Sequence, residues 1–166
     1  MTNVRLLKIY LNDHLATLTA GIELTKRSGS SNRGTPLGKF LAELQSEFET
    51  DRDALLEVLS LLDLSSDPLK RTAGWLVEKA GRLKFNGRLV GYSDLSRLIE
   101  LEGLAAIVMA NAALWRSLGV IAPAWSQLAR FDFEAMAQNA ERQRVRLEEF
   151  RSTAAAVALA GSSSGE

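Results

Sequence analysis

Apolar residues recur along this chain at spacings of three and four, and no stretch alternates with period two over the length of a strand. The pattern predicts an all-α protein with four long helices. The first is expected over about Thr2–Arg27, with Leu7, Leu11, His14, Leu18 and Gly21 along one seam, stopped by Ser28, Gly29, Ser30 and Ser31. The second should run from Pro36 to Leu62, with Phe40, Leu44, Glu47, Asp51, Ala54 and Val58 on one face. Ser93 reads as the cap of a helix from Asp94 to Leu118, with Leu95, Leu98, Glu102, Ala105, Met109 and Ala112 inward and Gly119 closing it. The last long helix starts at Asp132, where Phe131 and Met136 have the spacing of a hydrophobic staple. It continues through Ala140, Gln143, Leu147, Phe150, Ala154 and Val157.

Two of the three prolines punctuate this pattern. Thr35-Pro36 and Asp67-Pro68 each put a capping side chain before a proline at the first helical position, where the missing N–H has no intrahelical partner anyway. The second pair predicts a shorter helix over Pro68–Lys84, stopped by Asn86-Gly87 and carrying Trp75, Leu76, Val77, Ala80 and Leu83. Each long helix extends roughly 38–40 Å at 1.5 Å per residue. Matched lengths and heptad-like seams mean a four-helix bundle, with the shorter helix inside the long connection between the second and third bundle helices. One long crossover is the ferritin-like arrangement. Residues 1–160 form that single domain, and 161–166 read as a flexible tail.

Four stretches carry a family likeness: Tyr-Leu-Asn-Asp-His-Leu at 10–15, Glu-Phe-Glu-Thr-Asp-Arg at 47–52, Arg-Leu-Lys-Phe-Asn-Gly-Arg at 82–88, and Ser-Arg-Leu-Ile-Glu-Leu-Glu-Gly at 96–103. Over about Leu6–Leu159 the chain resembles an uncharacterised group of bacterial ferritin-like proteins. The resemblance implies a fold and no activity.

Composition narrows the chemistry. Twenty Lys and Arg balance twenty Asp and Glu, so no global charge favours nucleic acid or an anionic membrane. With no cysteine, disulfides, thiol catalysis, iron–sulfur clusters and cysteine zinc sites are excluded, and one histidine excludes any site that needs two imidazoles. Met1–Arg5 leads directly into an amphipathic pattern, without the apolar stretch and small residues of a signal peptide, and no uninterrupted apolar run reaches a membrane span. A cytoplasmic protein is expected.

Four seam positions that should be apolar are polar: His14, Glu47 with Asp51, Glu102, and Gln143 beside Arg144. At 1.5 Å per residue all fall in the middle third of the bundle. Buried charges cost several kcal/mol each, on the order of the desolvation penalty, unless paired, so these groups must meet each other, a metal, a ligand or water. Di-metal carboxylate bundles use a Glu from each of two helices and Glu-x-x-His from each of the others. Here the second helix has Glu47-x-x-Thr50 and the last Glu141-x-x-Arg144, and arginine brings a permanent positive charge where a cation would sit. A single metal on His14, Glu47, Asp51 and Glu102 is the residual metal reading, and no cofactor is expected. The favoured reading is a buried network of His14, Glu47, Asp51, Glu102, Gln143 and Arg144, with Arg144 in the metal's electrostatic place. Pairing with Glu47 or Asp51 should then raise the pKa of His14.

A second candidate is an anion site formed by Arg82, Lys84, Arg88, Ser93 and Arg97, where basic residues flank a helix N-terminus; pairing of those arginines with neighbouring acids is the plainer reading. No nucleophile with a base and no phosphate loop is present. Function is left open by these residues. A non-catalytic structural or interaction bundle, a homodimer binding neither nucleic acid nor membrane, is the leading expectation. A metal-dependent oxidase of the same fold and a binder of a small anion are the alternatives.

Overall fold

The computed structural model describes residues 3–64 and 92–160. Four long helices make up nearly all of these: α1 (Val4–Ser31), α2 (Pro36–Leu61), α3 (Asp94–Ile121) and α4 (Phe133–Ala160). Two short 3-10 turns, Ala122–Ala124 and Ser126–Leu128, link α3 to α4. No strand occurs among the described residues, and the chain is all-α as its periodicity predicts. The expected helix over Pro68–Lys84 lies outside the described residues.

Capping decides most helix starts. Asn3, Thr35 and Ser93 each accept a hydrogen bond from the backbone N–H three residues on, and Pro36 occupies the first position of α2. Asp132 does the same for Ala135. Helix ends were harder to read. Ser28–Ser31 were expected to stop α1, yet they continue it, with Ser30 and Ser31 hydroxyls donating back to the carbonyls of Lys26 and Arg27. Gly119 likewise lies inside α3.

Cross-helix contacts fix the directions. Tyr10 reaches Ser117, Gly21 lies against Ile107, and Arg27 pairs with Glu100, so α3 runs antiparallel to α1. Gly21 against Phe48 and Gly29 against Leu41 make α2 antiparallel to α1 as well. Asp51 meets Asn111, and Asn32 at the head of α2 meets Arg97 at the head of α3, so α2 and α3 run parallel. Phe40 stacks on Phe150 and Glu43 pairs with Arg146, which turns α4 antiparallel to α2. The order is up, down, down, up. The long helices are therefore not all mutually antiparallel, and Leu64 and Tyr92 stand at opposite ends of the bundle.

The core is aliphatic and dense, with Leu11, Leu41, Leu44, Phe48, Leu55, Leu101, Leu104, Val108, Leu114, Trp115 and Leu118 fully enclosed. α1 packs directly on α2 and α3, and α3 on α4; α2 and α4 meet mainly through longer side chains. The expected inward face of α3 needs correction. Leu98 and Ala112 are buried, but Leu95 and Met109 are 46% and 61% exposed, and Glu102 is exposed too. The true interior face is Leu98, Leu101, Leu104, Val108, Asn111, Trp115 and Leu118. This helix is apolar on most sides, so its periodicity alone leaves its rotation undetermined. By length and composition, Asp94–Ala124 is also a helix long and apolar enough to cross a membrane; the core helix of a bundle has the same composition.

Candidate functional site

The middle of the bundle holds a polar layer, contributed by three helices. Asp51 follows Leu44 by two turns on the interior face of α2, Asn111 follows Val108 on α3, and Gln143 lies between Ala140 and Leu147 on α4. At 1.5 Å per residue Asp51 and Asn111 stand roughly 23 and 26 Å from the starts of α2 and α3, and Gln143 lies beside Glu47, one turn nearer that end. All three are buried, with exposures of 7%, 1% and 3%.

Asp51 is the chemical centre of this layer. Its Oδ2 accepts a hydrogen bond of 2.6 Å from Asn111 Nδ2. Burial pushes its carboxyl up to about 6, opposed by that bond and by the nearby Trp115 indole, and reinforced by the charge of Glu47 one turn away. No cation acts on Asp51 among the charges that shift it. Glu47 is only half-buried; burial raises its pKa, while Arg146, Gln143 and Arg142 on α4 pull it back down. Around these carboxylates several polar atoms stay unpaired. Asn111 Oδ1, Trp115 Nε1, and both Nε2 and Oε1 of Gln143 are buried without a hydrogen-bond partner. Trp115 and Gln143 are near enough to Asp51 and Glu47 to favour ionisation, but their geometry does not close into hydrogen bonds.

The expected network of six residues is only partly assembled. Asp51 and Gln143 are in the core and Glu47 borders it. Arg144 does not occupy a metal-like central position: its guanidinium pairs at 2.6 Å with Glu141 on its own helix, and its side chain is 42% exposed. The neighbouring position, Gln143, takes the inward place. Glu102 faces outward, 3.9 Å from Arg151. His14 packs edge-on against Tyr10, with ring centroids 4.5 Å apart, and its pKa is lowered by burial, with Asp13 opposing. The expectation that Glu47 or Asp51 raises it is wrong, because no carboxylate of α2 acts on the imidazole. Accordingly His14, Glu47, Asp51 and Glu102 do not converge, and among the described residues no three His, Asp or Glu side chains are placed to hold an ion.

The anion candidate fares similarly in its described part; Arg82, Lys84 and Arg88 lie outside the described residues. Ser93 Oγ is committed to capping α3. Arg97 donates to Asp94 at 2.7 Å and to Asn32 Oδ1 at 3.0 Å, and lies over the Tyr92 ring. Asn32 in turn donates to Ser28 O and Tyr92 Oη. These groups tie the α1–α2 corner to the start of α3.

Sequence reading missed Asn111 and Trp115. A signal for Asn111 existed: it is the only polar side chain between Gly103 and Arg116. A lone amide in so apolar a run marks a buried partner. No family model, curated protein or solved structure matches the chain.

Proposed function

We propose that this chain is a cytoplasmic ferritin-like bundle without di-metal chemistry, a structural or interaction protein that works as a homodimer through the outward face of α3. The up-down-down-up order, with its one long connection between parallel helices, supports the ferritin-like reading. The polar layer supports the non-metal reading, because amides and an indole stand where a di-metal bundle needs carboxylates and imidazoles.

The observation that carries the interaction reading is the surface of α3. Leu95, Met109 and Val120 are 46%, 61% and 80% exposed and fall in one stripe with Ala106 and Ala113. The two charges in that stripe, Glu102 and Arg116, both lean toward α4, on Arg151 and Glu141. An exposed apolar stripe whose two charges are drawn aside is a surface a partner covers. Sedimentation equilibrium tests this: the wild type should be a dimer and Met109→Glu a folded monomer. A monomeric wild type sinks the dimer reading. Elemental analysis after addition of iron, manganese and zinc should find no stoichiometric metal; bound metal, lost on Glu47→Ala, overturns the non-metal reading.

A further inference from the structure

The unpaired polar atoms of the mid-bundle layer are too many and too close together to be indifferent. Of the buried side-chain atoms without a partner, four belong to Asn111, Trp115 and Gln143, and the first two residues flank Asp51. An unpaired buried donor or acceptor costs about 1–3 kcal/mol. Four together cost about 4–12 kcal/mol, comparable with the whole stability of a domain this size, unless something hydrogen-bonds to them.

We infer that Asp51, Asn111, Trp115 and Gln143 form an internal binding site for a water-sized hydrogen-bond donor, either ordered water or an ammonium ion. Acceptors predominate: the free lone pairs of Asp51, Asn111 Oδ1 and Gln143 Oε1. Donors are Trp115 Nε1 and Gln143 Nε2. Water satisfies both kinds, and buried waters make about three such bonds. Ammonium matches the acceptors and supplies the positive charge that no side chain brings to Asp51. A larger ligand is disfavoured by the fully enclosed leucines above and below, Leu44 and Leu55 on α2 and Leu104 and Leu114 on α3.

Entry is from the α2–α4 side. Glu47 is half-buried there, one turn from Asp51 and beside Gln143. The opposite side is shut by Gly21 of α1, packed against Phe48 of α2 and Ile107 of α3.

Nuclear magnetic resonance on the full chain tests the site at pH 7.5. The Trp115 indole N–H, identified by its loss in Trp115→Phe, and the Gln143 side-chain amide should show exchange-free cross-relaxation with long-lived internal water in sodium buffer. On adding 15N-ammonium chloride, a contact from ammonium protons to the Trp115 indole would identify the cation as the guest, and unchanged water contacts would identify water. Asp51→Asn, which keeps the shape, should abolish any ammonium contact while retaining the water contacts. If neither water nor ammonium touches Trp115 Nε1 or the Gln143 amide in the folded wild type, the site does not exist.

Discussion

Two seams of the same bundle, α1 against α3 and α2 against α4, are built by opposite means. Between α1 and α3 the backbones come close because side chains are missing. A Cβ at Gly21 on α1 would lie 3.0 Å from Ile107 Cγ2 on α3, and 2.9 Å from Phe48 Cε2 of adjoining α2; one at Gly103 on α3 would lie 3.3 Å from Leu24 Cδ2 on α1. Between α2 and α4 the gap is bridged by long groups: Glu43 to Arg146 at 2.8 Å, Phe40 stacked on Phe150 at 5.1 Å, and Gln143 beside Glu47. The tight seam is apolar at its middle, and its polar pairs, Tyr10–Ser117 and Arg27–Glu100, lie towards its ends. The wide one lets carboxylates and amides sit at its edge, and the polar layer of Asp51 and Gln143 lies just inside it. Close packing at one edge of a bundle and a polar interior at the other are thus two consequences of one choice of side-chain length.

The most damaging change should be at the tight seam. Gly21→Leu places a side chain where even a methyl group meets Phe48 and Ile107, both part of or touching the core. Overpacking of this kind costs about 3 kcal/mol or more, well beyond the roughly 1 kcal/mol of helix propensity gained on leaving glycine. Urea denaturation should show the loss as a lower midpoint with an unchanged slope. A neutral Gly21→Leu would mean that α1 can move freely away from α2 and α3, and the contrast between the seams would fail.

At the wide seam the largest effect has the opposite sign. Asp51 titrates at about 6 instead of 3.8, so the native state binds its proton more tightly than the unfolded chain. Stability from this group is full below pH 3.8 and falls as pH rises towards 6, where the carboxylate ionises inside the protein. The change corresponds to about 3 kcal/mol. Asp51→Asn removes the ionisation and should stabilise the protein above pH 6 by up to about that amount, with little effect at pH 4. Thermal unfolding of both proteins from pH 4 to 8 checks this. Greater stability of the wild type at pH 8 would show that a cation already compensates the charge.

How far the sequence anticipates these seams depends on contrast along each helix. On α2, Phe40, Leu44, Asp51 and Val58 are separated from solvent by charged neighbours such as Lys39, Arg52, Asp53 and Glu57, and the interior face is legible. On α4, Ala140, Gln143, Leu147 and Ala154 stand out against arginines and glutamates in the same way. α3 offers no such contrast, and its apolar periodicity sets the rotation about a residue off, with Met109 and Glu102 inside. The site inherited that error. Arg144 is adjacent to Gln143 but off the Ala140–Leu147 seam, and its guanidinium turns back to Glu141 on its own helix. Spacing could place polar residues at one height; it could not say which of them share a face across helices.

Removing the longest bridge of the wide seam should have a smaller effect. Arg146 pairs with Glu43 while about half exposed, and its guanidinium lies 4.8 Å from the centre of the Phe40 ring. Arg146→Ala should cost about 1 kcal/mol, from an exposed ion pair and a cation–π contact together. Arg146→Met should recover part of this by restoring the aliphatic stem over Phe40. Added salt should narrow the difference between wild type and Arg146→Ala only slightly if the ring contact dominates, and abolish it if the ion pair does.

The smallest effect belongs to His14, which lies at the height of the polar layer but outside it. Its pKa is below 6.5 because burial against Tyr10 disfavours the imidazolium more than Asp13 supports it. The native state therefore binds this proton less tightly than the unfolded chain, and its contribution is full above pH 6.5 and is lost as pH falls towards the lowered value. That slope is opposite in sign to the one from Asp51, so mutation is the way to separate the two. In Asp51→Asn the His14 titration followed by NMR should be unmoved, since no coupling joins them across the bundle. A His14 pKa that shifts with Asp51 would place the imidazole in the polar layer after all, and would join the two sides that the seams hold apart.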